Sequence, residues 1–396
     1  MAIETPTRPA AYAAPGFSLV VNVLLLLPRL LGAALRVQAE RLFVTRERRL
    51  KKLTSPAWLA EKLGIEARLV KSASIEEVHT GTASRSRLWV RYAEEQGEPV
   101  GPSSLFIKSS PPDFGSSLFG VLFGLGGNEV DFYRRVRPDL TVRSPKVFYS
   151  EGNSNHYVIL LEDLTDKGCD FRTLASSCSL DEARKVITTL GTLHAGFWES
   201  PRFSTDLAWV RRLESDRDFR LLDLVRQLSV PIACQKYSAS IPGKIVDLIP
   251  HLMKNYRKLE AAWAQGPRTL LHGDAHLGNM YVQEGEVGLL DWQVFNYGQG
   301  MRDISYLLVN SLDEKIRLDH QEKLVRHYLA VLADHGVSLA FDVAWRQYRM
   351  QSVYAWIAGA VTAPSNFQPE SVVSAGLARA SNAVLDLDAL GLIRKL

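Results

Sequence analysis

Cysteine is scarce: Cys169, Cys178 and Cys234 are the only three in 396 residues. Three thiols at these spacings make neither a disulfide framework nor a metal-binding pattern, which suits a reducing cytoplasm. An excess of one charge is missing too. Lys and Arg number 47 against 43 Asp and Glu, a net charge of +4, so the chain carries no global nucleic-acid signature. The nine histidines form no second cluster beyond the one described below, and no internal repeat is visible. What remains is ordinary globular material, 46% apolar and 23% charged, long enough for two lobes with cores of their own.

The N-terminal segment, residues 1–53, reads differently. Residues 1–16 are rich in Pro and Ala and are expected to be disordered. Phe17–Leu27 is almost wholly apolar, Pro28 and Arg29 interrupt it, and Leu30–Leu35 resumes. A basic start before Phe17 is lacking, which argues against a secretory leader, and Arg29 would sit inside any membrane span. A basic run follows: Arg36, Arg41, Arg46, Arg48, Arg49, Lys51 and Lys52 against Glu40 and Glu47. Three readings stay open: peripheral membrane contact through residues 17–52, a helix packed on the rest of the chain, or a true span. The expected location is the cytoplasm, with association at the inner face of a membrane left open as one option.

The most informative stretch is Leu270–Asp291. Leu270-Leu271 runs into His272-Gly273-Asp274, a polar loop closes at Asn279, and Met280-Tyr281-Val282 resumes a strand. Glu284-Gly285-Glu286 turns the chain, and Val287–Leu290 delivers Asp291 at a strand end. Asp274 and Asn279 stand five apart, the spacing of Asp and Asn in the H-R-D-x-x-x-x-N loop of kinases. Phosphoryl transfer needs such a set: a carboxylate to accept the hydroxyl proton, with an amide and a second carboxylate oxygen to hold Mg²⁺. A rival is a metal hydrolase built on His272-x-Asp274-x-His276, which would need further ligands in similar motifs. A plain hairpin with capped turns is the bland alternative.

Upstream, Ile75–Thr80, Arg87–Tyr92 and Ser104–Lys108 read as three strands, joined by the turns 81–86 and 96–102. The turn Gly81-Thr82-Ala83-Ser84-Arg85-Ser86 could lay backbone N–H groups, at Gly81 and Ser84 among others, over phosphates. Lys108 ends an apolar strand as in the V-A-I-K strand of kinases, where the Lys pairs with nucleotide phosphates and with a Glu on the next helix. Glu129 is the candidate partner and Asp131 its rival. Residues 109–128 read as a long irregular flap. Asp113-Phe114-Gly115 spells D-F-G but precedes the catalytic loop, and Gly124-x-Gly126-Gly127 follows no strand, so neither is taken as functional.

HGDAHLGN followed by LLDWQ resembles the aminoglycoside phosphotransferase and choline kinase-like superfamily, and Asp291-Trp292-Gln293 is similar to its ecdysteroid-kinase-like branch. The resemblance spans about residues 54–390. It implies an α+β, two-lobed, protein-kinase-like fold: a small N-terminal lobe of antiparallel sheet plus helix (54–164) and a larger, mainly helical C-terminal lobe (165–396). Glu129-x-x-Phe132-Tyr133 is similar to the superfamily's E-x-x-F-Y, and Ile159–Leu164 resembles the hinge that meets adenine, around Glu162 and Leu164. His194, in L-x-x-L-H-A, would be a buried structural group. Asp303 would by default cap a helix; the resemblance makes it a brace for the catalytic loop, with His272 fixing the same loop.

The implied cofactors are ATP and Mg²⁺. Asp274 would deprotonate the acceptor, Asn279 and Asp291 would hold the metal, and Lys108 braced by Glu129 would neutralise phosphates. Protein-kinase HRD and A-P-E motifs are absent, so a small-molecule alcohol is the expected substrate. The aromatic content favours an apolar or amphipathic one, such as a steroid, a lipid or a hydroxyacyl thioester. Trp198, Trp209 and Phe219 could wall the acceptor pocket within a less regular region, 199–245; Tyr348, Tyr354 and Trp356 are further candidates, but as a stripe at helical spacing they read more readily as core. An aminoglycoside would want an acidic pocket, which Glu214, Asp216, Asp218 and Asp223, alternating with arginines, do not clearly supply. Alternatives are an aminoglycoside- or choline-type kinase and an ATP-binding pseudokinase scaffold at a membrane.

Overall fold

The computed structural model describes residues 17–43, 51–93, 100–174, 176–213, 219–365 and 368–396. The expectations for residues 1–16, for Arg46, Glu47, Arg48 and Arg49, for most of the 96–102 turn, and for Glu214, Asp216 and Asp218 lie outside the described residues.

Five strands, β1 (Val70–Thr80), β2 (Ser84–Tyr92), β3 (Ser104–Ser109), β4 (Val147–Gly152) and β5 (Tyr157–Glu162), form one antiparallel sheet in the order β1-β2-β3-β5-β4. Side chains alternate across a strand. On β3, Leu105 and Ile107 therefore enter a core with Leu59, Leu88 and Leu160. Phe106 faces the opposite way, against the larger core that holds Phe132, Ile159 and Leu161. Lys108 shares the parity of Phe106, so its chain enters the side where the helix Leu125–Arg135 packs.

Three local expectations need correction. The β1–β2 connection is only Gly81-Thr82-Ala83, because Ser84, Arg85 and Ser86 already pair with β3 opposite Ser109, Lys108 and Ile107. Residues 109–128 are not an irregular flap but hold the helix Phe114–Phe123, started by Asp113, whose carboxylate accepts the Ser116 N–H at 2.7 Å. The spurious D-F-G is thus a helix cap. Gly124 ends that helix at φ +69, and Gly126 lets the following helix approach Tyr157, whose ring would lie 2.2 Å from an added Cβ. Likewise, the region 199–245 contains the helix Phe219–Lys236, and the chain after it forms three short helices, Gly243–Val246, Ile249–Lys254 and Tyr256–Trp263, rather than one. Pro250, in the first turn of the second, lacks the N–H that a continuous helix would need there.

The rest is mainly helical. Leu180–Gly196, opened by a Ser179/Glu182 capping box, packs on Glu314–Asp334. Met301–Ser311, Phe341–Thr362, Glu370–Asp386 and Ala389–Ile393 complete the bundle. Between these helices lie two small sheets, β7 (Thr269–Leu271) with β10 (Asn296–Gly298), and β6 (Asp170–Phe171) with β8 (Met280–Gln283) and β9 (Glu286–Leu289). Together they carry the stretch Leu270–Asp291. At the N-terminal end, α1 (Phe17–Phe43) packs against both Phe114–Phe123 and Phe219–Lys236. Among the described residues it is the one helix, over Val21–Leu42, long and apolar enough to cross a membrane.

Candidate active site

Strand β7 ends at Leu271, and the chain then makes a turn that only Gly273 permits. Its φ is +85, and an added Cβ would meet the Val294 carbonyl at 2.3 Å. The turn is held from behind by Asp303. Its buried carboxylate accepts the backbone N–H of His272 at 2.6 Å and of Gly273 at 3.0 Å, and meets His194 Nε2 at 3.3 Å. Asp303 is the third residue of its helix rather than the cap, so bracing, not capping, is its structural role. His194 is fully buried, bonded through Nδ1 to Tyr328 and through its carbonyl to Thr269. It is out of reach of a substrate.

His272 ties the loop to the next strand. Its Nε2 donates to the Leu290 carbonyl at 2.8 Å while Nδ1 accepts the Asp274 N–H at 3.3 Å, a pair of bonds that requires the Nε2–H tautomer. Because His272 is spent on these bonds, the loop's two histidines do not converge on a common centre. No group of three His, Cys, Asp or Glu able to hold a metal exists among the described residues. The hydrolase reading loses its ligand set.

Asp274 and Asn279 do converge. Asn279 Nδ2 donates to the Asp274 carbonyl at 3.0 Å and to its carboxylate at 2.9 Å, which leaves the Asn279 Oδ1 free to face a cation. Burial opposes ionisation of Asp274, but the His276 imidazole, 3.4 Å from its carboxylate, together with the Tyr306 hydroxyl, holds it well below the usual carboxylate range. The reciprocal effect appears on His276: burial pulls it down, and Asp274 more than compensates, so its pKa is raised. Tyr306 in turn packs on Tyr354 with ring centres 6.0 Å apart.

Asp291 lies across from this pair with φ +60, a left-handed conformation unfavourable for a residue with a Cβ and a mark of a constrained, specialised position. Lys108 Nζ bridges it at 2.8 Å to Glu129 at 2.7 Å, and Arg85 reaches its other oxygen at 3.2 Å. Burial disfavours the Asp291 charge, but Lys108 and Arg85 together hold its pKa low, whereas burial pushes that of Glu129 up against the pull of Lys108. Asp131, the rival partner, takes no part.

The remaining assigned positions are less committed. Gly81 lies in the short turn, and Ser84 is a buried strand residue whose backbone pairs with β3. Glu162 ends β5, its N–H engaged by the Lys146 carbonyl and its side chain by Lys167, and buried Leu164 follows. Trp198 and Trp209 pack at the edge of the main core, and Trp209 meets Phe295. Tyr348 and Trp356 are core residues.

Sequence reasoning missed Arg85, the first cation after the turn, and the part played by Trp292. That indole is fully buried, stacks on Phe132 at 4.0 Å and 12°, and donates to Ser144, so it fastens the Asp291 segment to the helix that carries Glu129. Gln293 completes the attachment through its carbonyl, which accepts from Asn128.

Comparison with known proteins agrees with this architecture. Residues 222–341 match the ecdysteroid kinase-like family. Among solved structures, a putative aminoglycoside phosphotransferase from Ralstonia eutropha JMP134 is similar at 13% identity and a TM-score of 0.50, covering 85% of this chain and 97% of that one. Choline kinase LicA from Streptococcus pneumoniae is similar at 13% identity and a TM-score of 0.46, covering 83% and 98%. At 13% identity the likeness to the phosphotransferase concerns the fold alone. No curated protein matches the sequence.

Proposed function

We propose that this chain, with its ecdysteroid kinase-like match on an aminoglycoside phosphotransferase-like fold, is an ATP-dependent phosphotransferase for the hydroxyl of a small apolar or amphipathic molecule. The observation that carries the reading is the convergence of the Asp274–Asn279 pair with the Lys108–Glu129–Asp291 cluster, near enough that the Asp274 charge acts on Asp291. The residues fit a magnesium nucleotide: Asn279 Oδ1 and the Asp291 carboxylate are hard oxygen donors, and a Mg²⁺ ion commonly takes only one or two protein ligands beside phosphates and water. Bound ATP with Mg²⁺ would supply the phosphoryl group and the charge that polarises it. Asp274, held ionised by His276, would orient the acceptor hydroxyl and take its proton. Lys108, kept in place by Glu129, would face the phosphates, with the Gly81 turn and Ser84 above them and adenine at Glu162–Leu164.

For the acceptor, Tyr306 and Tyr354 are half-buried beside Asp274 and offer an aromatic surface. Asp223, the described member of the acidic group, is already engaged by Asn22, Arg226 and Gln227. Both points favour an apolar or amphipathic steroid, lipid or hydroxyacyl thioester over a polycationic aminoglycoside. Nucleotide binding without turnover is the second reading, favoured by one observation, the two cations on Asp291.

Transfer of label from γ-labelled ATP, with Mg²⁺, to pools of sterols, hydroxyacyl thioesters, choline and aminoglycosides tests both readings. We expect label in an apolar pool, with Asp274→Ala lowering the rate roughly 10²–10⁴-fold while nucleotide binding persists. ATP binding with no transfer to any pool would leave the second reading standing.

A further inference from the structure

We infer that α1 is an in-plane anchor for an anionic membrane surface, an inference independent of the phosphotransfer reading. The helix has two apolar faces, and only one is covered. Leu26, Ala33 and Val37 are buried, the side they define packing on the helices Phe114–Phe123 and Phe219–Lys236. At 3.6 residues per turn, Leu24, Leu27, Leu31, Leu35 and Leu42 fall within an arc of about 80° on the opposite side. These five leucines are 44% to 70% exposed, in a stripe roughly 27 Å long at 1.5 Å per residue. A soluble surface seldom leaves such a continuous apolar stripe uncovered.

Charge identifies the occupant. Residues 21–52 hold eight cations and two carboxylates, an excess larger than the net +4 of the whole chain. One of the two carboxylates, Glu40, is already occupied by His156 and Asn155. An outward leucine stripe in a segment whose sequence carries a surplus of Arg and Lys, with Arg36 and Arg41 exposed on α1 itself, matches an acyl-chain boundary under anionic headgroups.

The covered face decides between lying on the membrane and crossing it. Asn22 donates to Asp223 at 2.9 Å and accepts from Arg220, Arg29 donates to the Leu122 carbonyl at 3.1 Å, and Glu40 meets His156 at 3.2 Å. A spanning α1 would break all of these contacts and carry Asn22 and Arg29 into hydrocarbon. Lying flat, the helix keeps them and still offers its leucines to lipid.

Flotation of the full chain with vesicles tests the assignment. Vesicles of phosphatidylcholine mixed with phosphatidylglycerol should bind the protein, vesicles of phosphatidylcholine alone should bind it much less, and added salt should weaken the binding. Leu31→Gln/Leu35→Gln should lower vesicle affinity about tenfold or more, with an unchanged melting temperature because both side chains already face solvent. Binding unaffected by the double substitution, or no binding to either vesicle, would overturn the proposal. So would a wild-type dimer that the double variant converts to monomer, since the stripe would then be an interface between copies. Resistance of the membrane-bound chain to alkaline carbonate would indicate a span and overturn the in-plane geometry.

Discussion

At the scale of single residues, the candidate site depends on groups buried behind it. Asp303 is the clearest, with one fully buried carboxylate serving two backbone N–H donors and one imidazole. Replacing an oxygen by an NH₂ group would set donor against donor, so Asp303→Asn is expected to cost about 2–3 kcal/mol in stability. The same change should lower kcat at least tenfold with the Kd for ATP nearly unchanged, since the loop and not the nucleotide cradle is released. A melting curve with a kcat/Kd pair measures this, and an equal loss in ATP affinity would show the brace acts elsewhere. The grouping of Asp274 with Asn279 and of Asp291 across from them was legible from residue type and spacing in one short stretch. Arg85 and Trp292 were not, because their partners lie 206 residues away at Asp291 and 160 away at Phe132, and no local pattern records a long-range contact.

At the scale of elements, the strands around Lys108 and in the stretch Leu270–Asp291 were foreseen and the connections between elements were not. The helix Phe114–Phe123 escaped notice because Gly and Ser are poor helix formers, and its stability comes from the Asp113 cap and from packing against α1. The β1–β2 turn was drawn three residues too long because small residues suit a turn and a strand end equally well. Its observed shortness has a consequence. A tight turn carries Arg85 directly opposite Lys108, and both cations reach Asp291, while Thr82 contacts Gln293 at 3.4 Å. If Asp291 holds Mg²⁺, Arg85 competes with the metal for one carboxylate oxygen. Arg85→Met should therefore lower the Mg²⁺ concentration giving half-maximal rate by severalfold. A titration of initial rate against Mg²⁺ at saturating ATP decides it, and an unchanged midpoint would mean that the latch opens before the metal arrives.

At the scale of the molecule, the order of motifs along the chain was enough to anticipate an antiparallel sheet followed by a mainly helical body, but not how charges would be buried inside that body. The helix Phe341–Thr362 contributes to two cores, through Ala344 and Tyr348 to one and through Met350, Val353 and Trp356 to the other. Beside the second core lies Glu260, 5% exposed and 3.8 Å from Arg226. Burial pushes its pKa up to about 7 despite Arg226, Arg257 and Arg302. A carboxyl group whose folded pKa exceeds its unfolded value of 4.5 holds its proton longer in the folded state. Stability then falls as pH rises from about 4.5 to about 7 and stays lower above that, by on the order of 3 kcal/mol for a shift of this size. Glu260→Gln removes the titration and preserves the shape, with Asp223 still beside Arg226 at 3.4 Å. The variant should match the wild-type melting temperature near pH 5 and exceed it by a few degrees at pH 8. Melting curves across that range test the point, since two parallel profiles would show that Glu260 is ionised throughout and that the Arg226 pair outweighs its burial.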